Sequence, residues 1–265
     1  PDAGLYHPDH EEDVCATPAH HRRWRKEGGG GDRPVVAVAI HRSYLVDGLT
    51  AHIDETVRRL ERGGALPLVY FHPARQTDSM KQLLTMEGRV LPNVIINYRA
   101  VFDATETRSA FESLGIPVLQ ALVHKESEAQ WRADSAGWPF SRIPFYVAQP
   151  EAAGIVDPFV VAVTRSGDGD VIPIGEQLDG LLNKALRLAR LQRLSNAEKR
   201  IAVFYYNNPP GEKHLKASFL NVPRSLERIL ANLAEAGYTV EPAREEAPTQ
   251  QAQAPSKGYY PPCPF

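Results

Sequence analysis

Short apolar runs alternate with amphipathic stretches through the middle of the chain. The runs Val35–Ile40, Leu66–Phe71, Val94–Ile96 and Val118–Val123 are almost entirely apolar and rich in β-branched residues, which is typical of strands covered on both faces. After most of these runs, apolar residues recur at helical spacing. Strands and helices that alternate in this way predict an α/β fold with a doubly wound, mostly parallel, flavodoxin-like sheet and right-handed crossovers.

The helix boundaries can be predicted from the same pattern. Leucine, isoleucine and valine residues spaced by four, four, four and three positions predict one helix from Leu45 to Leu60. Asp47 is predicted to cap its start, and the Gly63-Gly64 pair to end it. A later helix is predicted to begin at a cap on Thr105 and to stop at Gly115 in a left-handed conformation.

Shifts in composition divide the chain into five predicted segments. These are an N-terminal extension with a glycine-rich linker (1–32), a first α/β domain (33–124), an irregular segment followed by a long helix (125–198), the start of a second α/β unit (199–240) and a disordered tail (241–265). The second unit is predicted to have strands at Ile201–Tyr205 and Tyr238–Val240, with a helix that begins near Asn221 between them.

Composition and charge exclude several classes of function. The 30 basic and 32 acidic residues give a net charge of −2, so nothing favours nucleic acid or an anionic membrane as a partner. No apolar stretch is long enough to span a bilayer. Only two cysteines occur, Cys15 and Cys263, which predicts a reducing cytoplasm rather than a disulfide framework. The chain has no glycine-rich dinucleotide motif and no Walker A motif, so we predict no nucleotide site in it.

Three of the four predicted parallel strands end in histidine, namely in His41, His72 and His124. Ligands of open parallel sheets bind beyond the carboxyl ends of the strands, and imidazole is a common metal ligand. The histidines therefore predict a crevice that meets a metal ion or a metal-bearing macrocycle. The alternative is that they are ordinary polar loop residues. Glu151, beside a turn, is a weaker candidate for a catalytic acid.

A rigid turn follows the predicted strand Ile201–Tyr205. Two adjacent prolines fix their own φ angles there, and asparagine and glycine favour turns for other reasons. A helix start and several basic residues follow, and both attract the carboxylates of an anionic ligand. The alternative is that the turn only ends the strand. The candidate ligand-binding residues are Asn207, Asn208, Pro209, Pro210, Gly211, Lys213 and His214.

Several stretches together resemble one protein family. They are Asn208-Pro-Pro-Gly211, Ala217-Ser-Phe-Leu-Asn-Val-Pro-Arg-Ser-Leu226, Glu235-Ala-Gly-Tyr238, Gly4-Leu-Tyr-His-Pro-Asp9, Pro117-Val-Leu-Gln120 and Pro150-Glu-Ala-Ala-Gly154. In these stretches the chain resembles the large subunit of cobaltochelatase (CobN), whose family includes the large H subunit of magnesium chelatase. His7, Asp9 and Glu151 are family-motif positions under this resemblance. The chain departs from the family at Glu212–Lys216, where relatives carry a glycine-rich turn.

The resemblance implies a subunit that binds a tetrapyrrole, either a corrinoid or a porphyrin. It also implies a ligase reaction that inserts a divalent metal substrate, cobalt in cobalamin biosynthesis. ATP would be hydrolysed only by separate AAA+-type chelatase ATPase subunits. Because family subunits are several times longer, activity of this segment alone stays open. The alternatives are a non-catalytic carrier of a tetrapyrrole, haem or metal, and an interaction scaffold without the catalytic body.

Overall fold

The computed structural model of the chain describes residues 1–10, 14–15, 17–18, 33–74, 76–204, 216–217 and 220–240. The chain divides into two compact units, Pro1–Gln192 and Arg193–Phe265. Across the described residues, no helix is both long enough and apolar enough to cross a membrane.

The described part of the first unit contains an eight-stranded sheet. In chain order, the strands of this part are β1 (Gly4–Tyr6), β2 (Val14–Cys15), β3 (Val35–Ala39), β4 (Leu66–Phe71), β5 (Thr85–Met86), β6 (Arg89–Val90), β7 (Val94–Asn97), β8 (Val118–His124), β9 (Ile155–Thr164) and β10 (Val171–Pro173). All of them belong to the sheet except β5 and β6, which pair with each other in a small ribbon. The order across the sheet is β10-β9-β8-β7-β3-β4-β1-β2. The five strands from β9 to β4 are mutually parallel, and β10, β1 and β2 add antiparallel edges.

Helices cover both faces of this sheet. The helices of this unit are α1 (Arg42–Val46), α2 (Ala51–Arg62), α3 (Thr77–Leu84), α4 (Ala104–Leu114), α5 (Glu128–Ala133), α6 (Gln149–Ala152) and α7 (Gly175–Leu191), with a π-helical turn at Pro144–Ala148. Apolar residues of α2 and α7 form one buried cluster with the sheet, and residues of α3 and α4 form another. The predicted doubly wound α/β fold is confirmed. The order β4-β3-β7-β8-β9 is that of flavodoxin-like sheets, so the switch point of the topology lies between β3 and β7.

Two local predictions are wrong, one about the helix predicted from Leu45 to Leu60 and one about the N-cap of α4. The stripe that begins at Leu45 is split into α1 and α2, because Gly48 adopts a left-handed φ of 68° between them. Asp103, not Thr105, caps α4, since its side chain accepts a hydrogen bond from the backbone N–H of Glu106 at 2.9 Å. Asp103 is a better N-cap residue than threonine, which explains the earlier start.

The structure extends the first unit in both directions beyond the predicted domain 33–124. Residues Gly4–Tyr6, predicted to lie in an extension, form β1 and pair with β4, and the Leu5 side chain is fully buried. The run is too short to show a strand period in the sequence. Strands β9 and β10 join the same sheet, and α7 packs on it, so the unit reaches Gln192.

The second unit is described over a smaller share of its length. It contains a turn of 3₁₀ helix (Asn196–Glu198), a ribbon of β11 (Lys216–Ala217) and β12 (Leu220–Asn221), and α8 (Val222–Glu235). Asn221 caps α8 by accepting from the N–H of Arg224 at 3.1 Å, which confirms the predicted helix start. The predicted strands are absent from the described residues 201–204 and 238–240. A strand needs a partner to be stable, and Phe204 is 93% exposed.

The left-handed stop of α4 gives a simple test of the fold. Gly115 has φ of 65°, and a Cβ added there would meet nothing within 4 Å. We therefore expect Gly115→Ala to lower the free energy of unfolding by about 1 kcal/mol, through backbone strain alone. Urea denaturation measures the change. Gly115→Asn is the matched variant and is expected to lose less, because asparagine tolerates this conformation. Equal losses in the two variants would contradict the explanation.

Candidate functional site: the crevice at the carboxyl edge of the sheet

The sheet brings two of the three candidate histidines close to its switch point. The order β8-β7-β3-β4 places the strand ends in the sequence His124, Asn97, His41 and His72 along one edge. His41 and His72 follow neighbouring strands, while β7 separates His124 from them. The backbone of β7 continues into Tyr98 and Arg99 at the same edge.

His41 connects the loops that follow β3 and β7. Its Nε2 atom accepts a hydrogen bond from the backbone N–H of Ala100 at 3.1 Å. The acceptor nitrogen of the neutral ring is therefore occupied, and Nδ1 carries the proton. Burial lowers the pKa of His41 to about 4, and the positive charge of Arg99 acts in the same direction.

His72 is also held as a neutral ring. Its Nδ1–H donates to the carbonyl of Pro73 at 2.8 Å, and its ring stacks parallel to the ring of Tyr70 with centroids 6.0 Å apart. Burial lowers the pKa of His72 to about 4, with Arg99 as the next cause.

His124 belongs to a different environment. Its Nδ1 atom accepts from the N–H of Glu126 at 3.2 Å, and its ring contacts Trp138 with centroids 5.0 Å apart. The ligand atoms of His41, His72 and His124 do not gather into a three-ligand group in the described chain. Metal binding by the three histidines therefore stays a prediction.

The described residues bring together one group of potential metal ligands, His7, Asp9 and Glu61. Their ligand atoms lie within 4.8 Å of one another. This group lies at the opposite, amino edge of the sheet, because β1 runs antiparallel to β4. The His7 ring bonds through both nitrogens, to the N–H of Asp9 at 3.2 Å and to Glu61 Oε1 at 3.3 Å. The bond to Glu61 links the start of the chain to α2, and the family roles of His7 and Asp9 stay a prediction.

Arg99 also lies at the switch point and is not among the candidates predicted from the sequence. Its side chain is 8% exposed, and its Nη1 atom has no hydrogen-bond partner. It lines a small cavity of about 30 Å³. The cavity is bounded by the ends of β3, β4 and β7 and by α3 and α4, with Tyr70, His72, Thr77, Asn97 and Thr107 as its other polar residues. This volume holds one or two waters and excludes a macrocycle.

Asn97 fixes the backbone that carries Arg99. Its Nδ2 atom donates to the Arg99 carbonyl at 2.8 Å and to Gln120 Oε1 at 2.9 Å, while its Oδ1 accepts from the Arg99 N–H at 3.3 Å. Asn97 and Gln120 are each 3% exposed. The available signal in the sequence is that Asn97-Tyr98-Arg99 directly follows the apolar run Val94–Ile96, although nothing in it marks the arginine as buried.

The remaining candidates lie elsewhere. Glu151 is exposed and lines a cavity of about 350 Å³ at the amino edge of the sheet, together with Arg108 and Glu112, which pair at 2.7 Å. The predicted ligand turn Asn207–Gly211, with Lys213 and His214, lies outside the described residues, as does Cys263. Ligand binding by that turn stays a prediction.

Comparison with known proteins decides the family. The family described as CobN/Magnesium Chelatase matches residues 1–255. The chain belongs to this family. It is 30% identical over 255 residues to the magnesium-chelatase H subunit of Chlorobaculum parvum, covering 91% of this chain and 20% of that protein. It is 27% identical over 254 residues to the aerobic cobaltochelatase subunit CobN of Pseudomonas aeruginosa, with 91% and 20% covered.

A solved structure shares the fold. The catalytic subunit of cobaltochelatase from Mycobacterium tuberculosis matches with a TM-score of 0.67 at 20% identity, over 91% of this chain and 20% of that chain. The resemblance seen in the sequence is confirmed at the level of the family and of the fold. The chain spans about a fifth of the length of these relatives.

Proposed function

We propose that the chain is part of a chelatase large subunit that binds a tetrapyrrole and assists the insertion of a divalent metal. The observation that carries this proposal is the family match over residues 1–255, which includes relatives named for cobalt and for magnesium chelation. We choose cobalt and a corrinoid precursor, as in cobalamin biosynthesis, as the first substrates to test. The proposed partners are AAA+-type chelatase ATPase subunits that hydrolyse ATP. We propose the cytoplasm as the compartment, which the low cysteine content supports.

In the proposal, the basic turn near residue 211 binds carboxylates at the edge of the macrocycle, and Lys213 and His214 provide the charge. We expect saturable binding of a cobalt-free corrinoid precursor or of protoporphyrin, measured by absorbance titration. Changing both residues to alanine is expected to weaken binding about tenfold or more, because charge-assisted hydrogen bonds contribute about 1.5–3 kcal/mol. Lys125→Ala removes an exposed positive charge elsewhere and serves as the control. Failure of the unaltered chain to bind any ring would contradict ring binding by this chain.

Metal insertion is tested separately from binding. The chain is mixed with the chelatase ATPase subunits, ATP, Co²⁺ and the ring that binds, and the absorbance of the metallated ring is followed. The proposal expects metallated product that depends on this chain and on ATP. Saturable ring binding without any metallated product would instead support the carrier hypothesis.

A further inference from the structure

Arg99 is a buried cation without a counter-ion in the described part of the chain. The ion pairs there involve other residues, and burial lowers the pKa of Arg99 because it takes water away from the guanidinium. A guanidinium stays ionised in proteins, and a buried charge needs an opposite charge and hydrogen bonds to offset its lost hydration. A guanidinium that is buried at a topological switch point without a counter-ion is therefore a candidate group for binding an anion.

A second donor lines the same cavity. The Tyr70 hydroxyl is fully buried and has no hydrogen-bond partner in the described chain. Burial raises its pKa above the ordinary value, so the hydroxyl keeps its proton and can donate. The two nearby rings, His41 and His72, have lowered pKa values and are neutral at pH 7. Arg99 is thus the cation of this crevice, and Tyr70 adds a neutral donor.

Asp103 and Glu106 adjoin residues that line the cavity, and both already have partners. Glu106 accepts from the hydroxyl of Thr77 at 3.1 Å, and Asp103 caps α4 through the N–H of Glu106. Neither carboxylate forms an ion pair with Arg99. The backbone of Arg99 is held at two points by Asn97, which fixes where its side chain starts beside the crevice.

We propose that this crevice binds a single carboxylate group, with the Arg99 guanidinium as its counter-ion and the Tyr70 hydroxyl as a further donor. The planar fork of a guanidinium matches a carboxylate and forms two parallel hydrogen bonds with it. The cavity of about 30 Å³ admits a planar group of a few atoms and excludes a whole ring. The carboxylate comes either from a free small acid or from the acidic arm of a larger ligand that remains outside.

The test uses thermal unfolding of the full chain at pH 7.5, with sodium acetate replacing sodium chloride at constant ionic strength. The melting temperature of the unaltered chain is expected to rise with acetate concentration, because a ligand that binds only the folded state stabilises it. Arg99→Met is expected to abolish the rise, and Arg187→Met, at an exposed position on α7, to keep it. An equal rise in the Arg99 and Arg187 variants would overturn the proposal, as would no rise in the unaltered chain.

Without acetate, an anion-binding role and a structural role of Arg99 predict opposite shifts of the melting temperature when Arg99 is replaced. If Arg99 is the binding group for an added anion, its charge is uncompensated in the free protein, so Arg99→Met is expected to raise the melting temperature by about 2–4 °C. A fall of that size would show that Arg99 is satisfied structurally and would overturn the proposal. Should the methionine variant not fold, Arg99→Lys keeps the charge and loses the fork. It is expected to lose most of the acetate-dependent rise, and a full rise would count against the site.

The source of the carboxylate is distinguished with protoporphyrin and its dimethyl ester. Binding of the free acid that depends on Arg99, with no binding of the ester, would assign the carboxylate to an arm of the ring. Stabilisation by acetate alone would assign it to a free small acid. The acetate result does not depend on metal insertion, so the site and the proposed function can fail independently.

Discussion

Asn97→Leu is expected to lower the free energy of unfolding by about 3 kcal/mol, since it leaves buried polar groups without partners. The Asn97 side chain is the partner of the Arg99 carbonyl and of Gln120 Oε1, at 2.8 and 2.9 Å. Leucine is similar in size, so the loss measures hydrogen bonding more than packing. Denaturation in urea gives the value, and the slope of the transition shows whether unfolding stays cooperative.

The matched variant is Gln120→Leu, which removes the other end of the amide pair. We expect the double variant to lose clearly less than the two single variants together, by more than about 1 kcal/mol, because replacing both partners leaves fewer unpaired groups. Strictly additive losses would show that the two amides do not depend on each other. Asn97→Leu is also expected to weaken the acetate-dependent rise in melting temperature, because it releases the backbone that positions Arg99.

The fold was predictable for the strands that are covered on both faces of the sheet. The strands β3, β4, β7 and β8 lie inside the sheet, so their apolar runs are long and have no competing pattern. The short edge strand β1 shows too few residues for a period, and its pairing with β4 depends on contacts distant in sequence. The break at Gly48 was missed because the leucine stripe continues through it in the sequence.

The site was predictable only as a region. The predicted ends of the strands located the carboxyl edge of the sheet. Which side chains meet in the crevice at that edge depends on strand order and burial, which the sequence pattern does not show. His124 looked equivalent to His41 in sequence, yet β7 lies between their strands and the His124 ring packs on Trp138 instead. Arg99 gave no sequence pattern of its own, because an arginine is buried without a counter-ion only as a result of the whole fold.

Acidification from pH 7.5 to pH 5 is expected to destabilise the first unit strongly, through histidines buried as neutral rings. His52 on α2 is 1% exposed and lies between Tyr44 and Tyr98, with ring centroids 4.8 and 5.4 Å away. Burial lowers the pKa of His52 to about 4, although the nearby Val171 backbone acts weakly in the opposite direction. Neither ring nitrogen has a hydrogen-bond partner of proper geometry among the described residues, so burial sets the direction of the shift.

Stability falls with pH because His52 is protonated more readily in the unfolded chain than in the folded chain. The unfolded chain takes up a proton on His52 near pH 6.5, while the folded chain resists until about pH 4. The stabilisation is therefore complete above about pH 6.5 and is lost as the pH falls towards 4. For His52 the loss by pH 5 is about 2 kcal/mol. His41 and His72 have pKa values lowered in the same direction, and they add smaller losses because they are partly exposed.

The measurement is the free energy of unfolding by urea at intervals between pH 7.5 and pH 4.5. His52→Phe fills the same space between the two tyrosines with a ring that does not titrate, so its stability is expected to fall about 2 kcal/mol less by pH 5. Tyr44→Phe changes a contact of the same ring but keeps the histidine, and it should retain the full pH dependence. Equal pH dependence in the His52 variant and the unaltered chain would show that another group drives the acid transition.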